Sequence, residues 1–328
     1  MNSTKNTQTR TWADLPQMPS PKFIDLTLSE LGSKVTATVS NVGAALKNLS
    51  VNGTDIITPT TGHDLNPYAD GIVMAPWANR IDHGKWTLDG EELQLEINDK
   101  SLDNAIHGFV SQAIFEVLEQ STSSVTLSTR IAPTAGYPFE LVVGITYSLE
   151  TTGIKVTHTA VNRSTAKAPF VVGAHPLFQI SGSPTEDLEI QSEARSVDLV
   201  NERKIPIGKQ NISGSEFDIT NWRKLSTCDF DHGFGNLVRD DAGLAHHYLR
   251  SPNGAQLDIW QGEEFKYALI FTPANFHNNA DATLRKAIAI EPQTGPANAF
   301  NSKEDLILLE PDQVFEASWG VIFTPANN

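Results

Sequence analysis

Two ionisable side chains stand at the ends of apolar runs, each directly before a proline. His175 interrupts the apolar segment 170–178, and Glu291 follows the apolar segment 287–290. An imidazole titrates near neutral pH and can donate or accept a proton. A carboxylate with apolar neighbours tends to have a raised pKa, which suits a general base. The two segments therefore predict acid–base chemistry; an ion pair between Glu291 and a buried arginine is the structural alternative that the segment alone leaves open.

Other polar residues in apolar or glycine-containing surroundings are candidates for binding a ligand. Asn79 and Arg80 follow the apolar segment 73–78. A buried guanidinium is costly unless it meets a carboxylate or a ligand, and the alternative is a strand end at which Arg80 reaches water. His107 precedes Gly108, which lets the backbone come close to a bound molecule. A histidine held structurally in the core explains the same pattern.

Several other kinds of site are excluded by the sequence. The adjacent His246 and His247 lack the i, i+4 spacing of a helical zinc site. Cys228 is the single cysteine, so the chain can form neither an internal disulfide nor a cysteine-based zinc site. No GxxxxGK(S/T) or GxGxxG motif opens a helix, and the Gly-x-Ser-x-Gly elbow of esterases is absent. No nucleotide, esterase or zinc site is therefore predicted.

The elements that must position these residues are short β-strands. Apolar runs are interrupted about every eight to twelve residues by Gly, Pro, Asn or Asp, and no amphipathic helix of three or more turns is found. Residues 141–149 and 154–161, around a turn at 151–153, have the pattern of a β-hairpin. Strand patterns also occur at 35–40, 125–131, 255–260 and 286–290. We therefore expect an all-β fold, as an antiparallel sandwich or barrel.

Length, charge and the first residues set the expectations for domains, partners and location. The chain has 328 residues, and no linker or fixed-period repeat divides 21–328, so we expect one domain there after a flexible tail at 1–20. A net charge of −15 argues against nucleic acid or an anionic membrane as a partner. The first 20 residues lack the apolar region of a secretory signal, and the apolar stretches are too short to span a bilayer. A soluble, cytoplasmic protein is expected.

Six segments, in order along the chain, resemble motifs of the aldose 1-epimerase (galactose mutarotase) family. The matches are 75–81 to P-x-x-N-R-I, 84–90 to G-x-F/Y-x-F/L-x-G, 104–108 to N-x-I/L-H-G, 173–178 to G-x-H-P-Y-F, 230–237 to L/Y-D-H-x-F and 290–300 to E-x-Q/M-T-x-P-x-N-A-F. Any one of these motifs is weakly specific. Together and in order they are specific, and they run from about residue 30 to the C-terminus.

The resemblance implies a large antiparallel β-sandwich that holds a sugar in an open cleft on one sheet. It implies that the protein interconverts the α and β anomers of a free aldose such as glucose or galactose. Glu291 would be the general base that removes the proton of the C1 hydroxyl, and His175 the general acid that protonates the ring oxygen. The sugar would be oriented through hydrogen bonds by Asn79, Arg80, His107 and Asp231.

This chemistry needs an acid and a base, which we expect on opposite sides of the pyranose, each worth about 10²–10⁴-fold in rate. It needs no metal or cofactor, so a small sugar is the one partner expected, and the oligomeric state is left open. The alternatives are a hexose-6-phosphate mutarotase with extra cations, a non-catalytic sugar-binding module, and a glycosidase that uses Asp231 and Glu291. Trp86 is expected in the core, whereas Trp77 and Trp260 are open candidates for stacking on a sugar.

Overall fold

The structure is a computed structural model that describes residues 22–58, 69–277 and 284–326. The tail predicted at 1–20 lies outside the described residues, and a single domain over 21–328 stays a prediction. The one α-helix of the described ranges, Ala299–Ser302, has four residues. No helix in these ranges is long and apolar enough to cross a membrane.

Strands make up most of the described chain. The first part holds β1 (Phe23–Glu30), β2 (Ser33–Ser40), β3 (Leu46–Val51), β4 (Thr54–Asp55), β5 (Val73–Met74), β6 (Arg80–Asp82), β7 (Lys85–Leu88), β8 (Glu91–Gln94), β9 (Asn104–Ile106) and β10 (Glu116–Gln120). The middle part holds β11 (Ser124–Ile131), β12 (Leu141–Glu150), β13 (Gly153–Asn162), β14 (Ala168–Phe170), β15 (Gly173–Ala174), β16 (Leu177–Phe178), β17 (Glu189–Ser192), β18 (Ser196–Val200), β19 (Pro206–Asn211) and β20 (Arg223–Lys224).

The last part holds β21 (Asp231–Gly235), β22 (Ala245–Arg250), β23 (Gln256–Gln261), β24 (Tyr267–Phe271), β25 (Phe276–His277), β26 (Leu284–Arg285), β27 (Ile288–Gln293), helix α1 (Ala299–Ser302), β28 (Ile307–Leu309) and β29 (Val314–Thr324). Two short 3-10 helices cover Thr185–Asp187 and Leu225–Thr227. The predicted all-β class is confirmed.

Two large antiparallel sheets form the body of the molecule. One has nine strands in the order β10-β11-β12-β13-β29-β23-β22-β17-β20. The other has eight strands, ordered β19-β18-β21-β24-β27-β15-β5 with β16 also paired to β27. Buried side chains of both sheets, such as Val156 and Val321 of the first and Ile270 and Ile290 of the second, belong to one continuous apolar core. The predicted β-sandwich is therefore confirmed.

The predicted hairpin is present as β12 and β13, whose end residues Glu150 and Gly153 face each other. Gly153 thus opens the second strand instead of ending the turn, which consists of Thr151 and Thr152. A Cβ atom at position 153 would lie 1.9 Å from the carbonyl oxygen of Val321 on neighbouring β29. Only glycine fits this close backbone approach.

Pro292 lies within a strand and does not end its pairing. Strand β27 continues to Gln293, with Pro292 opposite Ala268 of β24. On the other side of β27 the neighbouring strand is split, because β15 pairs at Gln293 and β16 pairs further back, at Ile288 and Ala289. A proline, which has no N–H to donate, is tolerated beside such a gap in the ladder.

Two buried histidines in the nine-stranded sheet should make stability depend on pH. Burial lowers the pKa of His158 to about 3 and that of His247 to about 4. Between those values and the ordinary pKa of about 6.5, the unfolded chain binds protons that the folded chain does not. Stability is therefore complete above about pH 6.5 and falls with decreasing pH, by about 1.4 kcal/mol per pH unit for each histidine.

Urea denaturation at several pH values between 7 and 5 would measure this slope. The variant His158→Gln removes one titration and keeps an acceptor for the indole N–H of Trp319, which donates to His158 Nε2 over 3.0 Å. Its stability should fall less steeply as the pH is lowered. A slope equal to that of the unmodified protein would contradict the assignment of His158.

Candidate active site

An open cavity of about 430 Å³ lies against the eight-stranded sheet. Strands β21, β24 and β27 contribute Asp231, Leu269, Phe271 and Glu291 to its wall. The volume falls in the range of about 300–1,000 Å³ that small-molecule sites occupy. All six residues that the sequence singles out for catalysis or binding line this cavity: Asn79, Arg80, His107, His175, Asp231 and Glu291.

Glu291 is held in the middle of the sheet. It stands opposite Leu269 in β27, and its side chain is 0% exposed. Its Oε1 lies 3.1 Å from Nε2 of His175, and its Oε2 accepts a hydrogen bond of 3.1 Å from Nε2 of Gln293. Burial raises the pKa of Glu291 well above its usual range, and the charge of Asp231 adds to this effect. The hydrogen bond from Gln293 acts in the opposite direction.

His175 and Pro176 occupy the break between β15 and β16. Its backbone N–H donates to the carbonyl of Ile72 over 3.0 Å, and its carbonyl accepts from the N–H of Gly71 over 2.8 Å. The backbone at His175 is therefore held by hydrogen bonds on both sides. Burial lowers the pKa of His175 to about 4, although its backbone hydrogen bond and the charge of Asp70 oppose that shift.

His175 and Glu291, the predicted acid and base, are in direct contact in the structure, at 3.1 Å. Their placement on opposite sides of a bound sugar stays a prediction. Burial favours the neutral form of each group, His175 by lowering its pKa and Glu291 by raising its pKa. With both groups neutral, the one proton of the pair is on Glu291, and its Oε1 lies 3.1 Å from Nε2 of His175. Transfer of that proton to His175 gives the ion pair, which is the other tautomer of the same state.

Asn79, Arg80 and His107 are brought together by the pairing of β6 with β9, in which Arg80 stands opposite Ile106. Asn79 and His107 both have left-handed backbones, with φ of 53° and 62°. The N–H of His107 donates to the carbonyl of Asn79 over 2.9 Å, which locks these two strained positions to each other. Such strain is concentrated at functional sites, because only a rigid surrounding keeps it in place.

Arg80 is neutralised inside the site. Its Nε donates to Oδ2 of Asp99 over 2.8 Å, and both side chains are largely buried. A buried guanidinium was expected to meet a carboxylate or a ligand. Its carboxylate partner is Asp99 and not Glu291. Arg80 borders the cavity, and its Nη1 donates a hydrogen bond to Oδ1 of Asn79 over 3.4 Å.

His107 carries an unused hydrogen-bonding atom. Its ring meets that of His175 edge to face, with centroids 5.4 Å apart. Burial lowers the pKa of His107 well below its usual range, and the neighbouring His175 and Arg80 add to this shift, so the ring is neutral near pH 7. Its buried Nδ1 has no hydrogen-bond partner among the described residues. A ligand in the cavity can satisfy this atom.

Asp231 is the carboxylate of segment 229–231 that reaches the cavity. It opens β21 opposite Phe271 of β24, two residues along from the pair of Leu269 and Glu291. Lys204 reaches its Oδ2 from a loop, at 3.3 Å. Asp229 is exposed and does not line the cavity.

Trp77 and Trp260, the two candidates for stacking on a sugar, do not line the cavity. Trp77 is 3% exposed and meets the rings of Phe109 and Phe300 edge to face within the core. Trp260 belongs to β23 of the nine-stranded sheet, and its ring covers Gly320 of the adjacent strand. Trp86 is buried, as expected, and its indole N–H donates to the carbonyl of Gly136 over 2.9 Å.

Sequence reasoning missed two residues that hold the site together, Asp99 and Gln293. Gln293 stands two positions after Glu291, and this spacing on a strand places both side chains on one face, so a signal was available. Asp99 carries no such signal, because it meets Arg80 only through the fold. In the part of the chain that the structure describes, no group of three or more histidine, cysteine or carboxylate side chains is arranged to hold a metal ion.

Gly108 should be intolerant of any side chain. Its φ is 70°, and a Cβ atom there would lie 2.0 Å from the carbonyl oxygen of Ala75. We expect Gly108→Ala to lower the free energy of unfolding by about 2–5 kcal/mol, from left-handed strain and steric overlap. Gly208→Ala is the matched control, because that glycine has open space around it. Equal urea midpoints for the two variants would contradict this close approach.

The fold is that of the galactose mutarotase-like proteins. An aldose epimerase homologue from C. elegans superimposes with a TM-score of 0.81 at 19% identity, over 94% of this chain and 100% of that chain. The aldose 1-epimerase family model matches residues 26–320, and the chain belongs to this family. The protein is accordingly an isomerase, a carbohydrate epimerase.

Two relatives show the breadth of the match. An uncharacterized Escherichia coli (strain K12) protein, YihR, is 30% identical over 298 residues, which cover 90% of this chain and 93% of YihR. The galactose mutarotase of Sus scrofa is 26% identical over 282 residues, or 80% of each chain. Both matches extend over most of the two chains compared.

Proposed function

We propose that the protein interconverts the α and β anomers of a free, uncharged aldose such as glucose or galactose. The observation that carries this proposal is the buried contact between His175 Nε2 and Glu291 Oε1, 3.1 Å apart in an open cavity. Ring opening requires a proton donor and a proton acceptor close to each other, and these two side chains supply both. The similarity to a galactose mutarotase supports a hexose as the substrate.

Ring opening moves two protons and breaks one bond. Glu291 takes the proton of the C1 hydroxyl, the C1–O1 bond becomes a carbonyl, and the C1–O5 bond breaks while His175 gives its proton to O5. The aldehyde turns about C1–C2 and closes on its other face. Closure reverses both transfers, so that His175 takes the proton of the O5 hydroxyl and Glu291 returns its proton to O1.

The close placement of His175 and Glu291 suits these reaction steps, because O1 and O5 of the sugar are bonded to the same carbon and lie close together. Ring opening starts from charged His175 and Glu291 and leaves both neutral. Burial favours the neutral pair, so the protein environment drives the opening step. The sugar replaces the direct contact and becomes the path along which the proton moves.

The other cavity residues would orient the sugar. Arg80, His107 and Asp231 supply guanidinium donors, the unpartnered Nδ1 and a carboxylate, which match the donors and acceptors of sugar hydroxyls. Asn79 accepts a hydrogen bond from Nη1 of Arg80 over 3.4 Å and so helps to hold its neighbour. Their convergence from distant parts of the chain favours one bound ring over a loosely held ligand.

The charges at the cavity favour a neutral sugar over a phosphorylated one. Among the described residues that line it, Arg80 is the one permanent cation, and Asp99 neutralises it at 2.8 Å. The nearby Lys204 is paired with Asp231. A phosphate group would require a cation that is free of such pairing.

Polarimetry of freshly dissolved α-D-glucose and α-D-galactose tests the proposal. The protein should accelerate the decay of optical rotation of at least one sugar above the spontaneous rate. Glucose 6-phosphate serves as the comparison, and a strong preference for it would replace our proposal with a hexose-6-phosphate mutarotase. Sugar binding by calorimetry without any acceleration would leave a non-catalytic sugar-binding module.

A further inference from the structure

We propose that Gln293 is a positioning residue for the reaction, because its side-chain amide holds Oε2 of Glu291 and leaves Oε1 as the oxygen that exchanges protons with the sugar. This inference rests on the proposed function. The two carboxylate oxygens are unequal in the structure, since Oε2 accepts the amide of Gln293 and Oε1 faces His175.

The position of Gln293 is fixed by the sheet. Its backbone stands opposite Tyr267 of β24 on one side and Gly173 of β15 on the other. Its side chain lies on the same face of β27 as Glu291, is almost fully buried, and brings Nε2 to 3.1 Å from Oε2. A Cβ atom at Gly173 would approach Cγ of Gln293 to 3.1 Å, so this glycine leaves room for the glutamine side chain.

An amide suits this role because it donates a hydrogen bond without carrying a charge. The bond favours the ionised form of Glu291, which is the form that removes the proton of the C1 hydroxyl. It therefore works against burial, which favours the protonated acid. The charged or titratable groups that line the cavity with Glu291 are His175, Asp231, Arg80, Asp99 and His107, and Asp70 acts on His175.

The effect of Gln293 has a signature in the pH dependence. His175 and Glu291 titrate together in two macroscopic steps, and the sum of the two apparent pKa values is the same for either order of proton loss. Loss of the amide raises the proton affinity of Glu291 and hence that sum. The midpoint of the bell-shaped profile of kcat/KM then moves to higher pH, whichever tautomer dominates.

The experiment compares Gln293→Met with Gln191→Met by the same anomer-exchange assay across the pH range. Gln191 also donates its amide to one acceptor, the carbonyl of Thr220 at 2.9 Å, but it lies in β17 of the other sheet. We expect Gln293→Met to lower kcat/KM by about ten- to hundred-fold at neutral pH and to move the profile to higher pH. Gln191→Met should leave both unchanged.

A second variant and a second measurement keep the test decisive. Should Gln293→Met fail to fold, Gln293→Glu keeps the size, removes the neutral donor and should move the profile in the same direction. Infrared spectra record the C=O band of protonated Glu291, assigned by its loss in Glu291→Gln. This band should persist to higher pH in Gln293→Met than in the unmodified protein.

The outcomes separate the two proposals. A rate loss in Gln293→Met with an unchanged pH midpoint would overturn the positioning role and leave the catalytic proposal standing. An unmodified protein that does not accelerate anomer exchange would overturn the proposed function, and the infrared band would then decide the positioning role alone. An infrared titration identical in the two proteins would overturn it.

Discussion

Glu291→Gln is expected to lower kcat for anomer exchange by about 10²–10⁴-fold, because an amide cannot accept the proton of the C1 hydroxyl. The substitution keeps the shape of the buried side chain. It replaces a carboxyl group whose pKa is already raised by burial. The fold should therefore be retained, with a free energy of unfolding that is unchanged or higher. Exchange between anomers, followed by polarimetry or by NMR saturation transfer, measures the rate.

The matched control for this change is Glu119→Gln, at an exposed position of β10. It makes the same chemical substitution without touching the cavity and should leave kcat unchanged. A Glu291→Gln protein that retains kcat within about tenfold of the unmodified protein would remove Glu291 from the role of general base. Asp231, which lines the same cavity, would then be the carboxylate to examine.

The strand segments were predictable from the sequence because side chains on a strand alternate between two faces. Segment 35–40 and the hairpin of β12 and β13 are examples. The order of strands in the sheets was not predictable. Strand β29 pairs with β13 along one edge and with β23 along the other, and no local pattern encodes pairings across so many residues.

The cavity residues were predictable to the extent that single segments break the apolar pattern of a strand. His175 and Glu291 do so, and the structure places them in contact. Their mutual distance was not predictable, because it depends on the gap between β15 and β16 beside β27. The same gap explains why Pro292 can remain within its strand.

The partners of the cavity residues were the least predictable part. Asp99 neutralises Arg80 through the placement of its segment next to β9, with backbone bonds between Asp99 and Asn104. Neither Asp99 nor Asn104 belongs to segment 75–81, which contains Arg80. Charge pairing tells us that a buried arginine needs a carboxylate, but packing of the whole chain decides which one.

His175→Gln is expected to lower kcat by about 10²–10⁴-fold, because the amide cannot give a proton to O5 as the C1–O5 bond breaks. A glutamine can still donate a neutral hydrogen bond towards Glu291, so the carboxyl group keeps a partner. Removal of a buried histidine whose pKa is lowered also removes one source of acid destabilisation. The rate and the pH dependence of stability should therefore change together, and both are measurable on one protein sample.

The double variant His175→Gln with Glu291→Gln distinguishes a coupled pair from two independent groups. Independent contributions would multiply the two losses. If the two side chains act as one unit around a shared proton, removal of either already ends the exchange, and the double variant should be within about tenfold of the slower single variant. A multiplicative loss would show that the two side chains contribute independently to the exchange.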